Sequence, residues 1–216
     1  MFKDRIDAGL ALAQKLKKYQ HVDGIVLAVP KGGVPIGYIV ARELGLPMEL
    51  ILSKKIGHPL QKEYAIGAVS LQGSFIVPHE DVSQAYIERE TKRIQAGLRE
   101  MQKKFQADAE PQNLKDKIVI VVDDGIATGN TLLSTVNIIK KQEPAKIIIA
   151  VPVTSKQAYT NLSKYVDELI YLKIPDYFAG VGAFYEDFYD VSEAEVKQYL
   201  DALKIQKHTT SATTAM

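Results

Sequence analysis

Two acids side by side, Asp123 and Asp124, are followed at once by Gly125-Ile126-Ala127-Thr128-Gly129-Asn130-Thr131, a run of small residues and hydroxyls. The chemistry that this pattern suits has two halves. Loop amides with little side chain around them, together with the hydroxyls of Thr128 and Thr131, can surround a phosphate. A helix starting at Asn130 would add unpaired N–H groups and the positive end of its dipole. Carboxylates would repel that phosphate, so they suit another part of the same ligand, either sugar hydroxyls or a divalent cation. Acids first and phosphate loop second is the order expected for a sugar 5-phosphate. The plainer alternative is that Asp123 and Asp124 only cap a turn. A second loop, Pro30-Lys31-Gly32-Gly33, joins a cation to bare amides, although two glycines also make an ordinary turn. Lys54 and Lys55 place two more cations at the head of the polar stretch 56–64; a lysine pair is also common as plain solvated surface.

Such loops need strands to deliver them. Residues 24–29 (GIVLAV), 117–122 (KIVIVV) and 146–151 (KIIIAV) are apolar runs of strand length, and 49–53 and 166–172 read as further strands. Helical spacing predicts helices over 34–44, 130–142, 156–165 and 192–204. Pro35 falls in a first turn, Gly45 is a stop, and Ser192 with Glu195 forms a capping box. Residues 4–18 predict a helix, with apolar residues repeating at Ile6, Leu10, Ala13 and Leu16 at helical spacing. Residues 83–107 predict a long charged helix with a thin apolar stripe through Ile87, Ile94, Leu98 and Met101. Residues 65–70 and 74–77 predict a hairpin around Gly73. Continuous apolar strands alternating with helices imply an α/β fold with a mostly parallel central sheet flanked by helices. Ligands of such sheets bind at the carboxyl ends of the strands, where both loops fall. Residues 1–207 read as one domain and 208–216 as a disordered tail.

Other chemistries are poorly served. There is no GxxxxGK[ST], HExxH or GxSxG, and Gly180-Val181-Gly182 lacks the third glycine of a dinucleotide loop. His21, His58, His79 and His208 show no ligand spacing, and the absence of cysteine excludes thiolate metal sites and disulfides. A net charge of +1, from 27 basic and 26 acidic side chains, gives no bulk attraction to nucleic acid or to an anionic membrane. No apolar run approaches the ~20 residues of a membrane span. Asp4 and Asp7 stand where a signal peptide would be apolar, so a cytoplasmic location is expected.

The stretch 119–131 resembles the motif by which type I phosphoribosyltransferases bind phosphoribosyl pyrophosphate (PRPP). FKDRIDAG at the start, VPKGGVPIG, AIGAV and DDGIATGNT together resemble a group of predicted phosphoribosyltransferases of undefined substrate. The resemblance implies that fold with a small hood, here the N-terminal helix and residues 174–204. It implies that Asp123 and Asp124 hold the ribose hydroxyls and that Ala127, Thr128, Gly129, Asn130 and Thr131 hold the 5-phosphate. Pyrophosphate would lie on Lys31 and Gly32, at a loop that often contains a non-proline cis peptide, with Lys54 and Lys55 on a closing lid. The implied reaction moves a phosphoribosyl group from PRPP to a nitrogenous, nucleobase-like acceptor with magnesium, for which Asp123 and Asp124 are the candidate contacts. A homodimer is compatible with it, and a non-catalytic PRPP- or nucleotide-binding regulator is the alternative. Ala127 stands where 6-oxopurine enzymes carry an acid. Ile174-Pro175-Asp176-Tyr177-Phe178 nonetheless resembles their base-stacking segment, with Phe178 as the platform and Glu186 or Asp187 near a metal or the acceptor.

Overall fold

The computed structural model describes residues 1–62, 64–71, 73–106 and 112–213, with the backbone alone at 106 and 204–213. Among the described residues, eight strands and six α-helices follow one another as α1 (Arg5–Lys15), β1 (Gly24–Ala28), α2 (Gly33–Leu44), β2 (Met48–Leu50), β3 (Ser53–Gly57), β4 (Ala65–Ser70), β5 (Ser74–Ile76), α3 (Gln84–Gln106), β6 (Ile118–Val122), α4 (Asn130–Lys140), β7 (Lys146–Val153), α5 (Lys156–Leu162), β8 (Glu168–Lys173) and α6 (Glu193–Thr213). β2, β1, β6, β7 and β8 lie side by side in that order, every neighbouring pair parallel.

Both faces of this sheet are covered, which is why its strands read as unbroken apolar runs. Val26, Ile120, Val122, Ile148 and Ala150 face α1 and α2. The alternate residues Ile25, Val119, Val121, Ile147 and Ile149 face α4 and α5, meeting Leu132, Val136, Ile139, Ala158 and Leu162. Each buried Val, Leu or Ile contributes about 1.5–3 kcal/mol, enough to fix register and thus where each strand ends. Ala28 is opposite Val122, and Val122 is opposite Ala150, so β1, β6 and β7 deliver their loops to one edge.

The expected strand at 49–53 is divided. β2 ends at Leu50 in the central sheet, and Ser53 opens β3 of a separate antiparallel sheet, β3-β4-β5. Ile51 and Leu52 between them are buried, and a run of adjacent apolar residues hides such a change of sheet from periodicity. Lys54 and Lys55 therefore belong to a strand rather than to a loop. The hairpin expected around Gly73 is present as β4 and β5. This sheet shares a core with α3 and α6 that includes Ile56, Ile66, Val69, Ile94, Leu98, Phe105, Val196 and Leu200, whereas Met101 is exposed.

Helix ends follow their local chemistry. Gly45 caps α2 with φ 68°, in the left-handed region that glycine tolerates. At the start of α6 the Ser192 and Glu195 side chains each accept from the other's backbone N–H, at 3.2 and 2.9 Å. The backbone of α6 runs on to Thr213, beyond the expected end at Lys204; residues 214–216 of the expected tail lie outside the described residues. α1 is present as expected, and its inward face includes only part of the apolar repeat. Arg5, Ala8, Gly9, Leu12 and Ala13 are its buried residues, while Leu10 is 43% exposed. Gly9 makes the difference: a side chain there would crowd Ile39 of α2 at 3.0 Å, so the small face of α1 lies against α2 and Leu10 turns outward. The inward face begins with a charge, Arg5.

Candidate functional site

β1 and β6 are neighbours, and their loops touch. A Cβ on Gly32 would overlap the Asp124 carboxylate, and one on Gly33 would lie 2.7 Å from the Val122 carbonyl and 2.8 Å from the Asp123 Cα. Those close approaches, rather than turn geometry, require the two glycines. The Pro30–Lys31 peptide is cis. Gly33 N donates to Val29 O at 3.0 Å and Val34 N to Lys31 O at 3.2 Å, leaving the Lys31 and Gly32 amides without a backbone acceptor among the described residues. Lys31 is exposed beside them.

The 127–131 loop is fastened from below. Ile126 N donates to Val153 O (2.9 Å), Ser155 N to Ile126 O (2.9 Å), and Ser155 Oγ to Ala127 O (2.6 Å). These bonds tie the loop to the end of β7 and leave the amides of residues 127–129 with no backbone acceptor among the described residues. Gly129 has φ 78° and turns the chain into α4, so the free N–H groups of its first turn follow directly. Ala127, Thr128, Asn130 and Thr131 are exposed. A cavity borders this loop, lined by Thr128, Gly129 and Asn130, by Asn161 near the end of α5, and by Lys164 and Tyr165 just beyond it.

Asp123 and Asp124 stand between the two loops. Asp123 Oδ1 accepts from the Asp124 amide at 2.8 Å. Asp124 Oδ2 accepts from Arg5 Nε at 3.1 Å and Arg5 Nη2 at 2.9 Å, and the Tyr185 hydroxyl donates to the Asp124 carbonyl at 2.7 Å. No described residue donates to Asp123 Oδ2 or Asp124 Oδ1. Desolvation raises the Asp123 carboxyl well above the ordinary range, and the charge of Asp124 pushes the same way, against the Asp124 amide and Arg5. Burial, with the Asp124 charge behind it, likewise pushes the Tyr185 phenol up.

Lys54 and Lys55 are exposed on β3, and Phe178 packs on Phe184 with ring centroids 5.6 Å apart; none of the three enters the acid pair's hydrogen-bond network. Glu186 and Asp187 are exposed, and their amides pair with Phe2 O (2.8 Å) and Lys3 O (2.9 Å). That pairing draws residues 184–187 against the chain's start. Two residues of the site were not anticipated: Arg5 and Tyr185. Arg5 had a signal, because the phase of Ala8, Leu12 and Leu16 puts it on the inward face of α1, where a charge needs a partner. Tyr185 had none beyond membership of an aromatic cluster.

Residues 4–188 match the phosphoribosyl transferase domain, a span that takes in both loops, the acid pair, Arg5 and Tyr185. The chain belongs to the phosphoribosyl transferase family. Two Mycobacterium tuberculosis proteins, from strains CDC 1551 / Oshkosh and ATCC 25618 / H37Rv and each named "Putative phosphoribosyl transferase", are 31% identical to it over 207 residues. That match covers 93% of this chain and 46% of each relative, so the chain spans less than half the length of those proteins. The crystal structure of the Thermus thermophilus protein TT1426 is similar at 34% identity and a TM-score of 0.81, over 92% of this chain and 97% of that one. The central parallel sheet and its flanking helices are thus the phosphoribosyl transferase fold. Among the described residues no three His, Asp or Glu side chains group to hold a metal. The donor set is two carboxylate oxygens, which suits a magnesium ion whose other ligands are waters and substrate oxygens.

Proposed function

We propose that this protein transfers a phosphoribosyl group from PRPP to a nitrogenous, nucleobase-like acceptor and releases pyrophosphate. One observation carries the reading: two carboxylate oxygens to which no described residue donates lie between two loops whose amides have no backbone acceptor among the described residues, at adjacent strand ends. PRPP has the matching order of parts, with a diol between a 5-phosphate and a pyrophosphate. In this reading Asp123 and Asp124 receive the ribose hydroxyls, residues 127–131 the 5-phosphate, and Lys31 and Gly32 the pyrophosphate.

Substitution at the anomeric carbon passes through an oxocarbenium-like state, as glycoside cleavage does. Acids beneath the ring favour that developing positive charge, and amides and lysines favour the leaving pyrophosphate. Magnesium, when bound, neutralises pyrophosphate charge. Lys54 and Lys55, on the antiparallel sheet, are the cations of a lid that excludes water. α1 and residues 174–204 form the hood, with Phe178 on the acceptor side.

PRPP with magnesium raises the melting temperature by linkage, and a panel of nucleobases then yields pyrophosphate with one of them. Binding without turnover on any base would make the protein a sensor. No shift at millimolar PRPP would remove the reading altogether.

A further inference from the structure

Asp124 is held at every polar group but one. Its N–H donates to Asp123 Oδ1 at 2.8 Å, its carbonyl accepts from the Tyr185 hydroxyl at 2.7 Å, and its Oδ2 accepts twice from Arg5, at 2.9 and 3.1 Å. Oδ1 alone is left. Arg5 is itself fixed on three sides. Its Nη1 donates to Tyr189 O at 2.8 Å, its guanidinium lies 4.1 Å from the centre of the Phe188 ring, and its aliphatic stem is on the buried face of α1. The side chains of Arg5 and Asp124 are 7% and 15% exposed, so the pair is largely out of water.

We infer that Arg5 is a positioning residue for sugar binding: it sets the Asp124 carboxylate so that Oδ1 faces a ribose hydroxyl, and it ties that acid to the 185–189 segment. The inference rests on the function proposed above. A planar guanidinium is suited to this task, because its fork donates to Asp124 with one edge and to Tyr189 O with the other. A lysine in its place has one nitrogen for both acceptors. Arg5 also offsets the repulsion between two neighbouring carboxylates, which lets both accept from the sugar. Through Phe188 and the Tyr189 carbonyl, the same contact fixes the acceptor-side segment relative to the ribose.

Two ligands separate positioning from scaffolding. Magnesium-PRPP carries the ribose, whereas inorganic pyrophosphate titrated without magnesium carries no sugar and no metal bridge to the acid pair, and reads the Lys31–Gly32 loop. By isothermal titration, Arg5→Gln weakens PRPP about fivefold to twentyfold and changes pyrophosphate affinity less than about twofold. Arg5→Lys falls between Arg5→Gln and wild type. Arg5→Gln added to Asp124→Asn costs nothing further, because it acts through that acid. Equal losses for both ligands, full PRPP affinity in Arg5→Gln, or tighter PRPP binding in that variant would each overturn the inference. Should Arg5→Gln not fold, Phe188→Leu, which removes the ring under the guanidinium, takes its place with a smaller loss in the same pattern. The underlying reading has its own marker. If Asp124→Asn leaves PRPP affinity intact, the sugar assignment fails; if Asp124→Asn loses it and Arg5→Gln does not, only the role of Arg5 fails.

Discussion

Two carboxylates lie at opposite edges of the same parallel sheet and meet opposite surroundings. Glu168 opens β8 at the amino edge and accepts from Tyr19 Oη (2.6 Å), Lys146 Nζ (2.7 Å) and Lys18 Nζ (2.8 Å). Those bonds, Lys146 first, hold its carboxyl down at about 2. Asp123 follows β6 at the carboxyl edge with, among the described residues, a single amide as donor and a second acid beside it, and its carboxyl is pushed up. The Glu168 site is complete within the chain and serves the fold. The Asp123 site is short of donors among the described residues and long on negative charge, an arrangement that costs the fold stability. Local instability of this kind is common where a protein is built to receive a ligand.

The contrast can be broken in four places, beginning with the largest effect. Asp124→Asn lowers PRPP affinity roughly tenfold to a hundredfold by calorimetry, since hydrogen bonds to charged groups are worth about 1.5–3 kcal/mol. Glu168→Gln costs about 1–2 kcal/mol of stability after allowance for its partial exposure, and leaves PRPP binding unchanged. Its pH dependence has a definite sign. A lowered carboxyl contributes stability that is complete above its ordinary 4.5 and is lost as pH falls from there toward 2, so wild type and Glu168→Gln converge in melting experiments over that interval.

Asp123→Asn moves stability the other way. A raised acid costs the fold nothing below its ordinary 3.8 and progressively more as pH climbs toward its shifted value. The variant is therefore more stable than wild type at neutral pH, by about 2–4 °C in Tm for each kcal/mol relieved, while PRPP binding falls. A lower Tm for Asp123→Asn at pH 7 would end the contrast. Thr128→Ala is the smallest change. It weakens PRPP by less than about tenfold, because amides supply the other donors of the phosphate loop.

Much of this was legible in the sequence where local rules act alone. The apolar runs of β1, β6 and β7, Gly45, the Ser192–Glu195 box and the order of acids and loop each depend on a few adjacent residues. What escaped depends on distance. Arg5 and Asp124 are 119 positions apart, and nothing in either neighbourhood names the other. The phase of α1 turned on Gly9 meeting Ile39, a contact between two helices rather than a property of one. The passage through Ile51 and Leu52 from one sheet to another was hidden because both environments are apolar. The two glycines after Lys31 could be read as a turn; the approach of Asp124 to Gly32, and of Val122 and Asp123 to Gly33, gives them a further reason.

The most direct test is a crystal structure with magnesium and PRPP. The expected result has ribose hydroxyls within hydrogen-bond reach of Asp123 Oδ2 and Asp124 Oδ1, the 5-phosphate against the amides of residues 127–131, and Arg5 still on Asp124 Oδ2. A sugar phosphate bound elsewhere, or acids turned away from the ribose, would contradict the assignment of this strand end.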